Sequence, residues 1–212
     1  QFAMLDARNN VVLFTGPTPG IGKSFTSANF AAVLGAGGKR VLLIDADMRK
    51  GHLHQFFGMK RGHGLSELIT GTRTLDDVVH RAVAPNLDLL TTGTMPPNPG
   101  ELLMSPATVQ LLQNLSAEYD LVLIDTPPVL AVSDTQVLAP YAGTVFLVAR
   151  AEVTALGELQ ESTKRLGQIG VQVKGVVFND LDTSRQRYGG YGYKYSRYRY
   201  TNYQYGKTAD GQ

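Results

Sequence analysis

Residues 11–24 read VVLFTGPTPGIGKS, a short apolar run followed by a glycine- and proline-rich loop that ends in Gly-Lys-Ser. The β-branched run predicts a strand and the pattern after Lys23 predicts a helix, which is the setting that a P-loop requires. Backbone amides of such a loop, with the amino end of the helix, surround phosphate groups. Lys23 is expected to reach the β and γ phosphate oxygens, and the Ser24 hydroxyl to bind Mg²⁺. The predicted nucleotide-binding residues of this segment are Gly20, Ile21, Gly22, Lys23, Ser24 and Phe25.

The loop departs from the standard P-loop spacing at one position. The template G-x-x-x-x-G-K-S places its first glycine at position 17, where this chain has Pro17, and Gly16 stands one residue earlier. The strand-loop-helix context still favours a phosphate site over a simple glycine-rich turn.

The remainder of the body alternates β-branched runs with helical patterns, which indicates βαβ units and a parallel sheet covered on both faces. The predicted strands are Val11 to Thr15, Val41 to Asp45, Leu87 to Thr91, Leu121 to Asp125, Thr144 to Ala149 and Val173 to Asn179. The predicted helices are Lys23 to Leu34, Leu65 to Ile69, Leu75 to Ala82, Pro106 to Ala117 and Leu156 to Ile169. Residues 46–64 are expected to form a long functional loop, and residues 95–100 an extended connection. The predicted fold class is α/β, a doubly wound and mostly parallel P-loop NTPase sheet.

Carboxylates follow two of the predicted strands. Residues 121–128, LVLIDTPP, have the form of a Walker B strand that ends in Asp125, and residues 41–47, VLLIDAD, supply Asp45 and Asp47. Since parallel strands end at one edge of a sheet, these carboxylates are expected near the P-loop, where they would bind Mg²⁺ or accept a proton from an attacking hydroxyl. The predicted catalytic residues are Lys23, Asp45, Asp47 and Asp125, and the predicted metal ligands are Ser24, Asp45 and Asp125.

The charge of the 212-residue chain is unevenly distributed. Residues 1–182 contain 14 Lys and Arg against 17 Asp and Glu, whereas residues 183–212 have a net charge of +5 and eight of the ten tyrosines. These tyrosines are Tyr188, Tyr191, Tyr193, Tyr195, Tyr198, Tyr200, Tyr203 and Tyr205. Their spacing fits neither a helical stripe nor strand alternation, so we predict a globular domain over residues 1–182 and a flexible basic tail over 183–212.

Composition excludes several kinds of site. The chain has no cysteine, which rules out a disulfide framework, a cysteine nucleophile and a thiolate metal site. Its sequence contains no apolar stretch of 18 residues and does not open on a signal peptide, so we expect a cytoplasmic domain.

The motifs together resemble the bacterial tyrosine kinases, the cytoplasmic domains that accompany exopolysaccharide and capsule assembly. The resemblance covers almost the whole chain: the P-loop GPTPGIGKS, the Walker A′ segment VLLIDADMRKG, the segment NPGELL at 98–103, the Walker B segment LVLIDTPP and the terminal tyrosine cluster. The combination of Walker A′ with the tyrosine cluster is specific to the family.

Membership would imply binding of ATP and Mg²⁺ and transfer of the γ-phosphoryl group to tail tyrosines of a neighbouring copy in a ring oligomer. Asp47 would orient the incoming tyrosine hydroxyl and Asp45 would lie nearer the metal, although the two roles are exchangeable. Asn179, at the end of the last strand, stands where related P-loop folds contact adenine. The resemblance further implies a membrane-spanning activator, on this chain or another, and a low-molecular-weight protein tyrosine phosphatase as partners, at the inner face of a bacterial inner membrane.

Two other functions remain open on the sequence. A deviant Walker ATPase of the partition or division-site kind would carry a signature lysine four residues before Gly22, where this chain has Thr18. A nucleic-acid-binding ATPase would use the basic, aromatic tail to stack on bases and meet phosphates, but no nucleic acid is expected, because that function leaves the ATP site without a role.

Overall fold

The computed structural model describes residues 7–182, and within them seven strands form one sheet. The strands are β1 Val11–Thr15, β2 Val41–Asp45, β3 Val79–Ala84, β4 Leu87–Leu90, β5 Leu121–Asp125, β6 Thr144–Arg150 and β7 Val173–Asn179. The helices are α1 Lys23–Ala36, α2 Leu53–Phe56, α3 Leu65–Ile69, α4 Leu75–Val78, α5 Pro99–Leu103, α6 Pro106–Glu118, α7 Asp134–Leu138 and α8 Leu156–Gln168, with a 3₁₀ turn at Ala139–Tyr141. None of the helices in this part of the chain is long and apolar enough to span a bilayer.

The sheet is doubly wound, as predicted. Its strand order is β3-β4-β2-β5-β1-β6-β7, and all neighbours pair in parallel except β3 and β4. One face packs against α6, α7 and α8 through Leu112, Leu138 and Leu166, and the other packs against α1 through Ala28 and Ala31. Because both faces are covered, the central strands β1, β2 and β5 are buried along their whole length.

The six predicted strands are present, with ends that differ by at most one residue. The predicted helix Leu75 to Ala82 is wrong in its second half, because α4 ends at Val78 and the chain continues as the edge strand β3. Thr74 and Asp77 cap α4 through hydrogen bonds of 2.7 and 2.9 Å, and the β-branched Val79 then favours the extended chain.

Three short helices were not predicted. Residues 46–64 contain α2, the predicted extended connection at 95–100 gives way to α5 at Pro99, and α7 follows β5. Each has four or five residues and shows only a weak helical pattern in the sequence, whereas α3, also of five residues, was predicted with the same bounds. The predicted tail lies outside the described residues, so the division at residue 182 stays a prediction.

Candidate functional site

The P-loop connects β1 to α1 and depends on glycine at two positions. Gly22 has a φ of +88° and caps α1, and a side chain there would overlap the amide of Asn179. A Cβ on Gly16 would lie 2.7 Å from the carbonyl oxygen of Val148 on the neighbouring strand. Gly16 therefore lies where β1 ends against β6, at a position where a side chain would not fit. The template position one residue later is Pro17.

Lys23, the first residue of α1, lies in the site with its side chain almost fully covered, at 8% exposure. Burial lowers the pKa of its amine, and the nearby charges of Asp125 and Asp47 act in the opposite direction. The lysine thus faces the two carboxylates with which the sequence predicted that it would share a site.

Asp45 and Asp125 end adjacent parallel strands and are register partners. Both are buried, with exposures of 0% and 1%. The pKa of each carboxyl is raised to about 7, mainly by burial, and the neighbouring charge of Asp125 contributes to the rise at Asp45. Hydrogen bonding from the Ser24 hydroxyl and the charge of Lys23 counteract this rise at Asp125.

The two Walker A′ carboxylates, Asp45 and Asp47, accept different patterns of hydrogen bonds from backbone amides. Asp45 accepts hydrogen bonds on both oxygens, from the amides of Leu53 at 2.9 Å and Asp47 at 3.3 Å. Asp47 is only partly buried, and its Oδ1 accepts the amides of Arg49 at 3.2 Å and Lys50 at 2.9 Å, which makes an Asx turn. Asp45 therefore supports the loop from beneath, whereas Asp47 stands nearer the surface.

Asp125 is the carboxylate that best fits a metal ion. Its Oδ1 is buried and has no hydrogen-bond partner within residues 7–182, and the nearby hydroxyl of Ser24 lowers the pKa of its carboxyl. Buried polar atoms are nearly always paired, and carboxylate and hydroxyl oxygens are ligands that Mg²⁺ prefers. No group of three or more His, Asp or Glu in this part of the chain has the geometry of a metal site. These oxygen atoms therefore fit an ion held by Ser24 and Asp125 together with phosphate and water. Asp45, also predicted as a metal ligand, accepts backbone hydrogen bonds on both oxygens and is less available to an ion.

An ion pair that no sequence pattern predicted joins the Walker A′ loop to α7. Arg49 donates from Nε and Nη2 to the two oxygens of Asp134, at 2.8 and 2.9 Å. The carboxylate is fully buried at the first residue of α7, whereas the arginine side chain is 42% exposed. A fork-to-fork pair of this kind fixes the position of both elements. The sequence separation of 85 residues left no signal for it.

Asn179 and Phe25 contact their surroundings in ways that the sequence did not predict. The Asn179 side chain donates to the carbonyl oxygen of Ile21 at 3.1 Å, which joins the end of β7 to the P-loop. Phe25 points outward, since it is 51% exposed and its ring lies 6.4 Å from that of Phe56. The structure thus brings Gly20, Ile21, Gly22, Lys23, Ser24, Asp45, Asp47, Asp125 and Asn179 to one edge of the sheet, while the eight tail tyrosines lie outside the described residues.

Comparison with known proteins places the chain in a family. A family model described as an AAA domain matches residues 10–176. EpsB of Ralstonia nicotianae is 59% identical over 205 residues, which cover 97% of this chain and 27% of that protein. The tyrosine-protein kinase Wzc of Salmonella typhimurium is 47% identical over 198 residues, 92% of this chain and 28% of that protein. The chain thus spans about a quarter of the length of these curated relatives.

A solved structure is similar to this chain over most of the length of both. The kinase domain of the Escherichia coli tyrosine kinase ETK superposes with a TM-score of 0.83 at 42% identity, over 91% of this chain and 75% of that one. The P-loop, the Walker A′ and Walker B strand ends and the doubly wound sheet all fall within the matched residues. The chain therefore belongs to the AAA domain family and, with ETK, to the bacterial tyrosine-kinase domains.

Proposed function

We propose that this chain is an ATP-dependent protein tyrosine kinase whose acceptors are its own tail tyrosines, Tyr188 to Tyr205, presented by a second copy. The observation that carries the proposal is the meeting of Lys23, Asp47 and the unpartnered buried carboxyl oxygen of Asp125 at one edge of the sheet. Membership among the bacterial tyrosine-kinase domains and the eight tyrosines of the tail support it.

The transfer assigns one task to each side chain. The P-loop amides and Lys23 hold the β and γ phosphates, and Ser24 with Asp125 would hold Mg²⁺, which neutralises charge on the phosphate oxygens when it is bound. The tyrosine oxygen forms a bond to the γ phosphorus while the bond from that phosphorus to the β-phosphate oxygen breaks, so the products are phosphotyrosine and ADP.

The proton of the tyrosine hydroxyl passes to Asp47 in this scheme. An unperturbed tyrosine has a pKa of about 10, so a carboxylate must orient the hydroxyl and take the proton late in a loose transition state. Asp47 is better suited than Asp45, because it is closer to the surface and accepts its backbone hydrogen bonds on Oδ1, whereas Asp45 accepts them on both oxygens. This assigns the proton-accepting role to Asp47 and a supporting role to Asp45.

The tail supplies an electrostatic reason for release after transfer. Its net charge of +5 opposes the excess of acidic residues in the body. Each phosphate adds about −1.5 to −2 charge, so four of them reverse the sign of the tail. We further propose that docked tails hold copies in a ring, that phosphorylation releases them, and that this cycle regulates exopolysaccharide or capsule export at the inner membrane. A membrane-spanning activator and a low-molecular-weight phosphatase complete that proposal.

A mixing experiment tests transfer between copies. An active chain whose eight tail tyrosines are replaced by serine is incubated with Mg²⁺-ATP and a tagged Lys23→Met copy that retains its tail. The proposal expects phosphotyrosine on the tagged copy at a rate that increases with its concentration. Absence of label there, while the unsubstituted active chain labels itself, would show that transfer occurs within one copy.

A further inference from the structure

Three aromatic rings form an exposed surface beside the site, which we call the aromatic platform: Phe25, Phe56 and His52. The Phe25 and Phe56 side chains are 51% and 46% exposed, and their ring centroids lie 6.4 Å apart at an angle of 56°. The ring of His52 lies 5.7 Å from that of Phe56. Neighbouring exposed rings of this size commonly mark a contact surface.

Core packing does not account for the platform. The short helix α2 buries Leu53 and His54 beneath it and leaves Phe56 outside, and α1 buries Ala28 and Ala31. The two phenylalanines lie close to each other, Phe25 in the first turn of α1 and Phe56 at the last residue of α2. They therefore remain available to a ligand after the core has formed.

Each end of the platform lies close in the chain to a loop that carries the proposed chemistry. Phe25 follows Ser24 directly in the chain, at the phosphate-binding end of α1. On the other side, the His52 ring nitrogen Nδ1 is 3.1 Å from the carbonyl oxygen of Lys50, whose amide binds Asp47. A ring lying on this surface would thus be next to both the phosphate loop and the carboxylate assigned as proton acceptor.

The chain itself supplies an occupant of matching chemistry. The proposed acceptor is the tail of a second copy, which begins after Asp182, the last described residue. The following thirty residues carry eight tyrosines separated by glycine and basic residues. Aromatic rings prefer edge-to-face or offset contacts with other rings, and such pairs stabilise beyond the area that they bury.

We infer that the aromatic platform is the acceptor-binding surface of the kinase, on which tyrosine rings of residues 188–205 pack so that one hydroxyl reaches Asp47. The inference rests on the proposed function and names the surface by which the site selects its acceptor. Because the platform would recognise the tyrosine ring and not its neighbours in the sequence, several of the eight tyrosines could bind to it one after another. The dense spacing of tyrosines in the tail then raises the chance that one ring is always in register with the platform.

Binding of a labelled tail peptide tests the inference without requiring turnover. Fluorescence anisotropy follows a peptide of residues 187–207, labelled at its amino end, against the full chain carrying Mg²⁺ and a non-hydrolysable ATP analogue. A Phe25→Ala/Phe56→Ala variant is expected to bind the peptide at least about tenfold more weakly, since each ring pair accounts for about two- to tenfold in affinity. Phe56→Tyr is expected to keep wild-type affinity, and Phe56→Leu to lose about threefold because it retains apolar area without a ring.

Matched controls separate the platform from the nucleotide site and from general surface loss. Val33→Ala removes a 71% exposed apolar side chain from α1, away from the P-loop end, and is expected to leave peptide affinity unchanged. A fluorescent ADP analogue should bind Phe56→Leu and Val33→Ala as tightly as it binds the wild-type chain. A peptide whose tyrosines are replaced by serine should bind the wild-type chain as weakly as the tail peptide binds the double variant.

The outcomes distinguish the inference from the function on which it rests. Unchanged peptide affinity in the double variant overturns the platform, even if the wild-type chain phosphorylates the peptide. A loss of ADP-analogue affinity in Phe56→Leu assigns the platform to the nucleotide site and overturns the inference. A change in oligomer mass of the double variant at unchanged peptide affinity assigns the rings to contact between copies of residues 7–182 and also overturns it. Platform-dependent binding without phosphorylation by any active preparation would instead contradict the proposed kinase function.

Discussion

Burial of Asp45 and Asp125 side by side disfavours the charged form of both carboxyls. Their buried carboxyls lie side by side at the ends of β2 and β5, and each has its pKa raised to about 7 from an ordinary value of 3.8. Such an arrangement is typical of sites that complete their charge balance with a ligand. The orphaned oxygen of Asp125 indicates where a positive ion would relieve that cost.

The raised pKa values predict how the stability of the nucleotide-free chain depends on pH. Between pH 4 and 7 the folded state binds more protons at these groups than the unfolded state does, so the free energy of unfolding falls as pH rises and levels off above 7. Each group contributes a slope of at most about 1.4 kcal/mol per pH unit. Urea unfolding at pH 5, 6, 7 and 8 should therefore show a shallower decline for Asp125→Asn than for the wild-type chain. Equal slopes for the two proteins would contradict the burial argument.

The pair between Arg49 and Asp134 predicts an asymmetry between its two partners. Arg49→Met leaves a fully buried carboxylate without its cation and should lower the free energy of unfolding by about 3 kcal/mol. Asp134→Asn leaves a half-exposed arginine that water can solvate, and should cost about 1 kcal/mol. The double variant should be more stable than Arg49→Met alone, as measured by urea unfolding at pH 8. Equal losses for the two single variants would show that burial of Asp134 does not dominate the pair.

At the scale of elements, the sequence predicted the long and continuous features and the short helix α3, but missed three other short helices. Strands β1, β2 and β5 are uninterrupted apolar runs, and α1, α6 and α8 are long enough to show a helical pattern, so their positions could be predicted. The short helix α4 and the strand β3 were merged into one helix, because Val78 and Val79 fit either pattern and only pairing with β4 decides between them.

The site followed the same rule. The P-loop and the strand-end aspartates could be located because their spacing is local and the parallel sheet brings strand ends together. The Arg49–Asp134 pair and the contact of Asn179 with Ile21 join residues 85 and 158 positions apart, and no local pattern encodes such contacts. The contact of Phe25 with Phe56 likewise joins residues 31 positions apart, on a short helix that the sequence did not reveal.

The contact between β7 and the P-loop predicts a measurable effect on nucleotide binding. Asn179→Ala removes the hydrogen bond to the carbonyl of Ile21 and leaves the left-handed turn at Gly22 without its packed neighbour. The affinity for Mg²⁺-ADP should fall about three- to tenfold, consistent with the loss of one hydrogen bond worth about 1 kcal/mol. Isothermal titration calorimetry measures this, with the exposed Asn114→Ala on α6 as the matched control. Equal affinities for the two variants would remove Asn179 from the phosphate site.

At the scale of the whole molecule, the division of charge acquires a function. A body with an excess of acidic residues carries the phosphate site, and a segment of net charge +5 carries eight tyrosines. In the proposed kinase the two parts are enzyme and substrate, and the reaction changes the sign of the attraction between copies. The total charge of +2 is therefore less informative than the charge of the tail, which the reaction would change.

The most direct test of the account is identification of phosphotyrosine in the segment of residues 187–207 by mass spectrometry, after incubation of the chain with Mg²⁺-ATP and the proposed membrane activator. The account predicts phosphate on several of the eight tyrosines in the wild-type chain and none in Lys23→Met. It also predicts at least a hundredfold slower labelling for Asp47→Asn, since general-base catalysis is worth about 10²–10⁴-fold. Unmodified tyrosines in the wild-type chain, while ATP is bound and hydrolysed, would contradict the account and favour an ATPase that does not transfer phosphate to protein.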